Sequence, residues 1–174
     1  NTLTIGGSLI NNSNSGGGFA VDLINTSTLG GATFGLDYYC DVTFFGNNSA
    51  SITNTGGSPE TVFNKVTVNK GTSQSDSLII DIGGTLATPT DNWLTLQNGT
   101  LVYRRENPSS NFTISTNTPF TIPETAGLYI DYPNNSGSRN ILIANANNNN
   151  NDVSLDGKLT VRAGNVYVGP IAAP

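Results

Sequence analysis

Histidine and methionine are absent from this 174-residue chain, and cysteine and tryptophan occur once each. Without histidine there is no Ser-His-Asp triad, no imidazole base and no imidazole metal ligand. The single cysteine, Cys40, leaves no internal disulfide. It stands in Tyr38-Tyr39-Cys40-Asp41-Val42 and reads as a small buried hydrophobe. A nucleophilic thiol would need a base beside it, and no histidine supplies one. Charge is scarce as well. Lys and Arg total 7 and Asp and Glu total 12, so charged residues are 11% of the chain, where about 25% is usual. A net charge of −5 argues against nucleic acid and against an anionic membrane surface as partners. No apolar run is long enough for a spanning helix, so no membrane insertion is expected. Strong helix formers are few, with three Glu and three Lys.

What fills the chain instead is small and polar. Asn, Thr, Ser and Gly together make up 83 of the 174 residues. Between them run short alternations of apolar and polar side chains, bounded by Gly, Asn, Ser or Pro. Thr2-Leu3-Thr4-Ile5, Lys65-Val66-Thr67-Val68, Ser77-Leu78-Ile79-Ile80-Asp81-Ile82 and Lys158-Leu159-Thr160-Val161 are examples. Each alternation predicts a short strand with one face turned inward.

A unit of strand, glycine corner and strand recurs. Leu94-Thr95-Leu96-Gln97-Asn98-Gly99-Thr100-Leu101-Val102-Tyr103 aligns with Leu159-Thr160-Val161-Arg162-Ala163-Gly164-Asn165-Val166-Tyr167-Val168, and Leu3-Thr4-Ile5-Gly6-Gly7-Ser8-Leu9-Ile10 is a looser copy. Glycine permits the positive φ of a sharp corner. The fold class is all-β. The favoured architecture is a right-handed parallel β-helix, a solenoid of short strands; the alternative is an antiparallel β-sandwich. At about 20 to 25 residues per coil the chain predicts about seven or eight coils. Asn side chains stacked coil on coil are expected to form hydrogen-bonded ladders. Residues 1–169 read as one β-helix segment of a longer chain, and residues 170–174 as a linker or processed end.

The order of motifs carries a resemblance. Val42-Thr43-Phe44-Phe45-Gly46 is followed by Ala50-Ser51-Ile52-Thr53-Asn54-Thr55-Gly56, then by Phe63-Asn64-Lys65-Val66-Thr67-Val68-Asn69-Lys70, Gly84-Thr85-Leu86 and Leu94-Thr95-Leu96-Gln97-Asn98-Gly99-Thr100-Leu101. This series resembles the repeat-rich β-helix surface adhesins and secreted proteins of the Bacteroidetes, with Asn54 standing where glycine is usual. The resemblance covers residues 40 to 103 and, more loosely, the C-terminal third. It implies export by the type IX secretion route and a place outside the cell or on its surface. It also implies a role as adhesin, stalk or extracellular filament component. Asp76-Ser77-Leu78 matches the family's O-glycosylation motif, making Ser77 the candidate site of a glycoprotein.

The chemistry-bearing residues are sparse, and no catalytic set emerges. Asp37 and Asp41 lie on one face of a strand, about 13 Å apart at 3.3 Å per residue, too far for paired acid–base work. Asp152 and Asp156 flank Val153-Ser154-Leu155 and are weak candidate Ca²⁺ ligands, with carbonyls from Asn147 to Asn151; no other cofactor is implied. Arg104 and Arg105 adjoin Glu106 and read as a charged stretch closing a strand; the functional alternative makes both arginines contacts for an acidic glycan. Most of the aromatics Tyr38, Tyr39, Phe44, Phe45, Trp93, Tyr103, Tyr129 and Tyr132 are expected to pack in the core, and those left exposed would stack on sugar rings. Trp93, Tyr132 and Tyr38 are the leading ligand-contact candidates. The sequence therefore predicts a non-enzymatic structural or adhesive segment, with neighbouring segments of the same or identical chains as partners and surface glycans as ligands. A carbohydrate-binding module using exposed aromatics is the alternative, and a polysaccharide lyase or hydrolase is the least favoured.

Overall fold

The computed structural model describes residues 2–11, 19–20, 27–29, 32–34, 41–54, 61–82, 86–87, 92–104, 112–114, 119–131, 140–143 and 152–168. These residues form strands and the turns between them, with no helix. In chain order the strands are β1 (Thr2–Ile5), β2 (Leu9–Asn11), β3 (Phe19–Ala20), β4 (Ser27–Leu29), β5 (Ala32–Phe34), β6 (Asp41–Gly46), β7 (Ala50–Asn54), β8 (Thr61–Val62), β9 (Lys65–Lys70) and β10 (Ser77–Asp81). They continue with β11 (Leu86–Ala87), β12 (Leu94–Tyr103), β13 (Phe112–Thr113), β14 (Phe120–Ile122), β15 (Ala126–Asp131), β16 (Asn140–Ile143), β17 (Val153–Leu155), β18 (Lys158–Ala163) and β19 (Asn165–Val168).

Except in the β4–β5 hairpin, every pairing among the described strands is parallel. The antiparallel sandwich is therefore not the arrangement adopted by the described residues. Parallel neighbours need crossovers, and the chain supplies them: register partners in adjacent parallel strands lie 23 to 43 residues apart. One ladder runs β1, β6, β9 and the first half of β12. A second runs β2, β7, β10, the second half of β12, β15 and β18. Because β12 belongs to both, this parallel sheet turns back on itself and comes close to closing, with a barrel-like outline. Shorter ladders join β3, β8 and β11; β13, β16 and β19; and β14 and β17. Among the described residues the longest ladder is six strands deep, against the seven or eight coils expected, and most register partners lie further apart in the chain than the assumed repeat length.

Alternation in sequence becomes alternation in burial. On β10, Leu78 and Ile80 are buried while Ser77, Ile79 and Asp81 are partly exposed. Across layers the inward positions line up. Leu9, Ile52, Ile80, Tyr103, Ile130 and Val161 occupy one register position in six successive strands. The four interior members are at most 1% exposed, whereas Val161 in the last strand is 45% exposed. Each buried aliphatic side chain of this kind contributes about 1.5–3 kcal/mol, so the core is a set of such columns.

The corner at Gly99 makes β12 serve two ladders. Leu94–Leu96 pair with Val66–Val68, whereas Gly99–Tyr103 pair with Ala126–Ile130. Gly99 has φ +82°, and a Cβ there would lie 2.6 Å from the Lys70 carbonyl oxygen. Gly164, its counterpart in the sequence repeat, also has positive φ, at 101°. The two corners are nonetheless not equivalent. Gly99 divides the first ladder from the second, and Gly164 divides β18 of the second ladder from β19, which pairs with β16. The repeat seen in sequence is a repeat of local grammar, displaced by one face.

Candidate functional site

The outward face of the second ladder carries the clearest site. Outward positions repeat from strand to strand, so Thr100, Gly127 and Lys158 share one register position. Val102, Tyr129 and Thr160 share the next outward position. Gly127 omits a side chain from the first column. Thr100 takes up that space, since a Cβ on Gly127 would lie 2.8 Å from Thr100 Oγ1. A cleft of about 300 Å³ lies beside these residues. Tyr129, half-buried, forms one wall. Lys158 and Thr160 border it on the β18 side, and Gln74 and Ser75, from the turn before β10, border it on the other. Thr100 leans over the glycine and donates its hydroxyl to the Gln74 carbonyl at 2.8 Å. The Gln74 side-chain amide donates to the Glu124 carbonyl at 2.9 Å, fixing the turn against the next layer.

The expected ligand contacts distribute differently. Trp93 is 2% exposed and donates its indole N–H to the Thr113 carbonyl at 2.9 Å. It is a core residue and offers no face to a sugar. Its large apolar ring gains more from burial than from solvent, and its one polar atom finds a carbonyl. Phe44 and Tyr103 are buried too. Phe45 is 46% exposed. Tyr38, Tyr132 and Arg105 lie outside the described residues, as do Tyr39, Cys40, Asp37 and Asn147 to Asn151.

Arg104 is described, and it is committed to an ion pair. Its Nε lies 3.3 Å from Asp131 Oδ2, and Arg162 Nη1 lies 3.0 Å from Asp131 Oδ1. Asp131 is 2% exposed, at the end of β15. Two arginine side chains that keep contact with water, from the layers on either side, neutralise one buried carboxylate. The sequence marks Arg104 as a possible glycan contact, whereas nothing in its local pattern singles out Asp131 or Arg162. Their spacings of 27 and 31 residues carry no local signal.

The carboxylates proposed for Ca²⁺ are dispersed. Asp152 and Asp156 are both exposed. Asp156 Oδ2 accepts from the Ser154 hydroxyl at 3.4 Å. Among the described residues no group of three His, Cys, Asp or Glu is placed to hold a metal ion. Asp41 accepts from the Asn64 amide at 2.6 Å. Ser77, the candidate glycosylation site, is half-buried and donates its hydroxyl to Ser49 Oγ at 3.1 Å.

Polar stacking across layers does occur. Asn98 donates its side-chain amide to Asn69 Oδ1 at 2.8 Å, one rung of an asparagine ladder. Ser51 and Ser8 stack in the same way at 3.4 Å. One stacked position is cationic. Lys70 is fully buried at the end of β9 and donates from Nζ to the Phe45 carbonyl at 2.6 Å. Burial pushes its ammonium below the usual value, and the Asp76 carboxylate pulls it partly back.

Compared with known proteins, the chain matches no family model, no curated protein and no solved structure.

Proposed function

We propose that the chain is a segment of a right-handed parallel β-helix, non-enzymatic, serving as a structural or adhesive element of a secreted cell-surface protein. The observation that carries this reading is the state of the last layer. Val161 and Leu155 hold register positions whose partners one layer earlier, Ile130 and Ile122, are fully buried. Val161 and Leu155 themselves are 45% and 52% exposed, and Val168 is 56% exposed. A layer built for the core but left open has the composition of a surface on which a further layer stacks. Among the described residues β18 has a neighbour on one side alone, so there it also presents an unpaired strand edge. The partner is a neighbouring segment of the same kind, adding its own strands in parallel.

The surface location, type IX export and O-glycosylation at Ser77 rest on the family resemblance of the motifs between residues 40 and 103. The non-enzymatic reading rests on the absence of histidine and on the dispersion of the carboxylates along the chain. Sedimentation velocity over a range of concentrations tests the stacking. Association in the parent chain, lost in Val161→Lys and Leu155→Lys, is the expected result. A parent that stays monomeric throughout would remove end-to-end stacking from the proposal. Cleavage of any member of a polysaccharide panel would overturn the non-enzymatic reading.

A further inference from the structure

We infer that the cleft over Gly127 binds one uronic-acid residue of an acidic polysaccharide, with the sugar ring on Tyr129 and its carboxylate on Lys158. The site is distinct from the end face, because it lies on the side of the second ladder. It therefore stands whether or not layers stack at the ends.

Three features select this chemistry. The first is shape. Thr100, Gly127 and Lys158 line one side of the cleft, and its volume of about 300 Å³ is at the small end of ligand sites. It suits one ring, with the chain of a polymer entering and leaving along the open face. The second is the wall. Tyr129 is half-buried on an outward position, so its ring is held by the sheet while part of it faces the cleft. A tyrosine ring presents a negative face to the weakly positive C–H groups of a pyranose, and a phenol hydroxyl can donate to or accept from a hydroxylated ligand. The third is the polar set. Ser75 and Thr160 contribute hydroxyls, and Gln74 brings an amide side chain and a backbone carbonyl already ordered by Thr100 and Glu124. Groups that both donate and accept match a polyhydroxylated ring better than they match a simple ion.

Lys158 decides the charge. It is exposed, and no carboxylate among the described residues forms a salt bridge with it; the two salt bridges found there both belong to Asp131. Asp156, two residues earlier, is turned to Ser154. In a chain with a net charge of −5, a cation beside an aromatic wall is a local exception. It provides a specific counter-charge for a ligand carboxylate in a molecule that otherwise repels acids.

The test is a titration of the full 174-residue chain, observed by amide chemical shifts, with glucuronate, glucose and acetate as probes. Glucuronate is expected to shift Tyr129, Lys158, Thr160 and the 74–75 turn. Glucose is expected to shift the same amides about fivefold more weakly, the usual scale of one exposed ion pair. Acetate is expected to leave Tyr129 unmoved. Tyr129→Ala should weaken glucuronate about tenfold, on the scale of an aromatic contact. Lys158→Gln should erase the preference over glucose while keeping the ring contact. Both changes are on outward positions, and an unchanged amide spectrum elsewhere confirms the fold. Equal binding of glucose and glucuronate to the parent would overturn the acidic assignment. Equal effects of acetate and glucuronate would reduce the cleft to an anion site and overturn the sugar. No shift at Tyr129 with any probe, or undiminished binding by Tyr129→Ala, would overturn the inference as a whole.

Discussion

Arg162 Nη1 lies 3.0 Å from both carboxylate oxygens of Asp131, and the two residues are 31 positions apart in the chain. They meet because β15 and β18 are adjacent parallel strands, with a register irregularity at Asp131 that brings Arg162 alongside. Arg104 reaches the same carboxylate from the preceding layer. A buried charge is tolerated when it is paired, and here one buried anion is shared by two cations that keep contact with water. Asp131→Asn should lower stability by about 1.5–3 kcal/mol, the range for hydrogen bonds to charged groups. Replacing both arginines by Leu strands the carboxylate and should cost about 3–5 kcal/mol. Urea unfolding of the singles and the double closes the cycle. Additive single losses would mean that the arginines act separately.

Gly99 and Gly7 should respond oppositely to alanine. Gly99 has φ +82°, and a Cβ there would meet backbone oxygens of Lys70 and Asp76 at 2.6 and 2.8 Å. Neither oxygen moves without breaking the ladder, so Gly99→Ala should cost about 3 kcal/mol or more. Nothing lies within 4 Å of a Cβ at Gly7. Gly7→Ala should be neutral or stabilising by up to about 1 kcal/mol, through the unfolded chain. Thermal unfolding of the two variants compares them directly.

Lys70 makes stability depend on alkaline pH. Burial lowers its folded-state pKa below the usual 10.5, and the unfolded chain keeps that usual value. Between the lowered value and 10.5 the unfolded chain holds a proton that the folded chain has released. Stability therefore rises with pH through that window and is flat in this respect below it. Lys70→Met should remain within about 1 kcal/mol of the parent at neutral pH, because the lost hydrogen bond is offset by the lost desolvation. It should also lose the alkaline rise. Denaturant midpoints from neutral pH to pH 10.5, parent against variant, read out the difference. An identical rise in both proteins would assign it to other groups.

Trp93 should behave as a core residue. Trp93→Ala should destabilise by about 3–5 kcal/mol. Trp93→Phe keeps most of the apolar volume, loses the bond to the Thr113 carbonyl, and should cost about 1–3 kcal/mol. In either variant that still folds, saccharide titrations should match those of the parent. A selective loss of sugar binding with unchanged stability would return Trp93 to the surface.

Strand character, the inward face of each strand and the presence of glycine corners were all legible in the residues. Val66 and Val68, Leu78 and Ile80, and Leu101 and Tyr103 alternate with polar or partly exposed neighbours, and all six are buried. Gly99 and Gly164 both take the positive φ that the corner motif implied. These features are local: period-two alternation fixes a face, and φ freedom fixes a bend, within a few residues. Trp93 was misplaced because an aromatic at a strand start reads alike whether it turns inward or outward. Asp131 was passed over because its partners are 27 and 31 residues away.

Composition and local pattern by themselves determined that this chain is all-β, poor in charge and without histidine chemistry. Tertiary structure alone decided which strands pair, and therefore everything that depends on neighbours across layers. It set Gly127 between Thr100 and Lys158 beside the cleft, placed Asp131 between two arginines, and buried Lys70 at the end of β9. The physical reason is that alternation specifies which way a side chain points but not what stands above and below it. In a parallel ladder that choice is made by the register of strands far apart in the chain, and register is settled when whole columns of apolar side chains pack together.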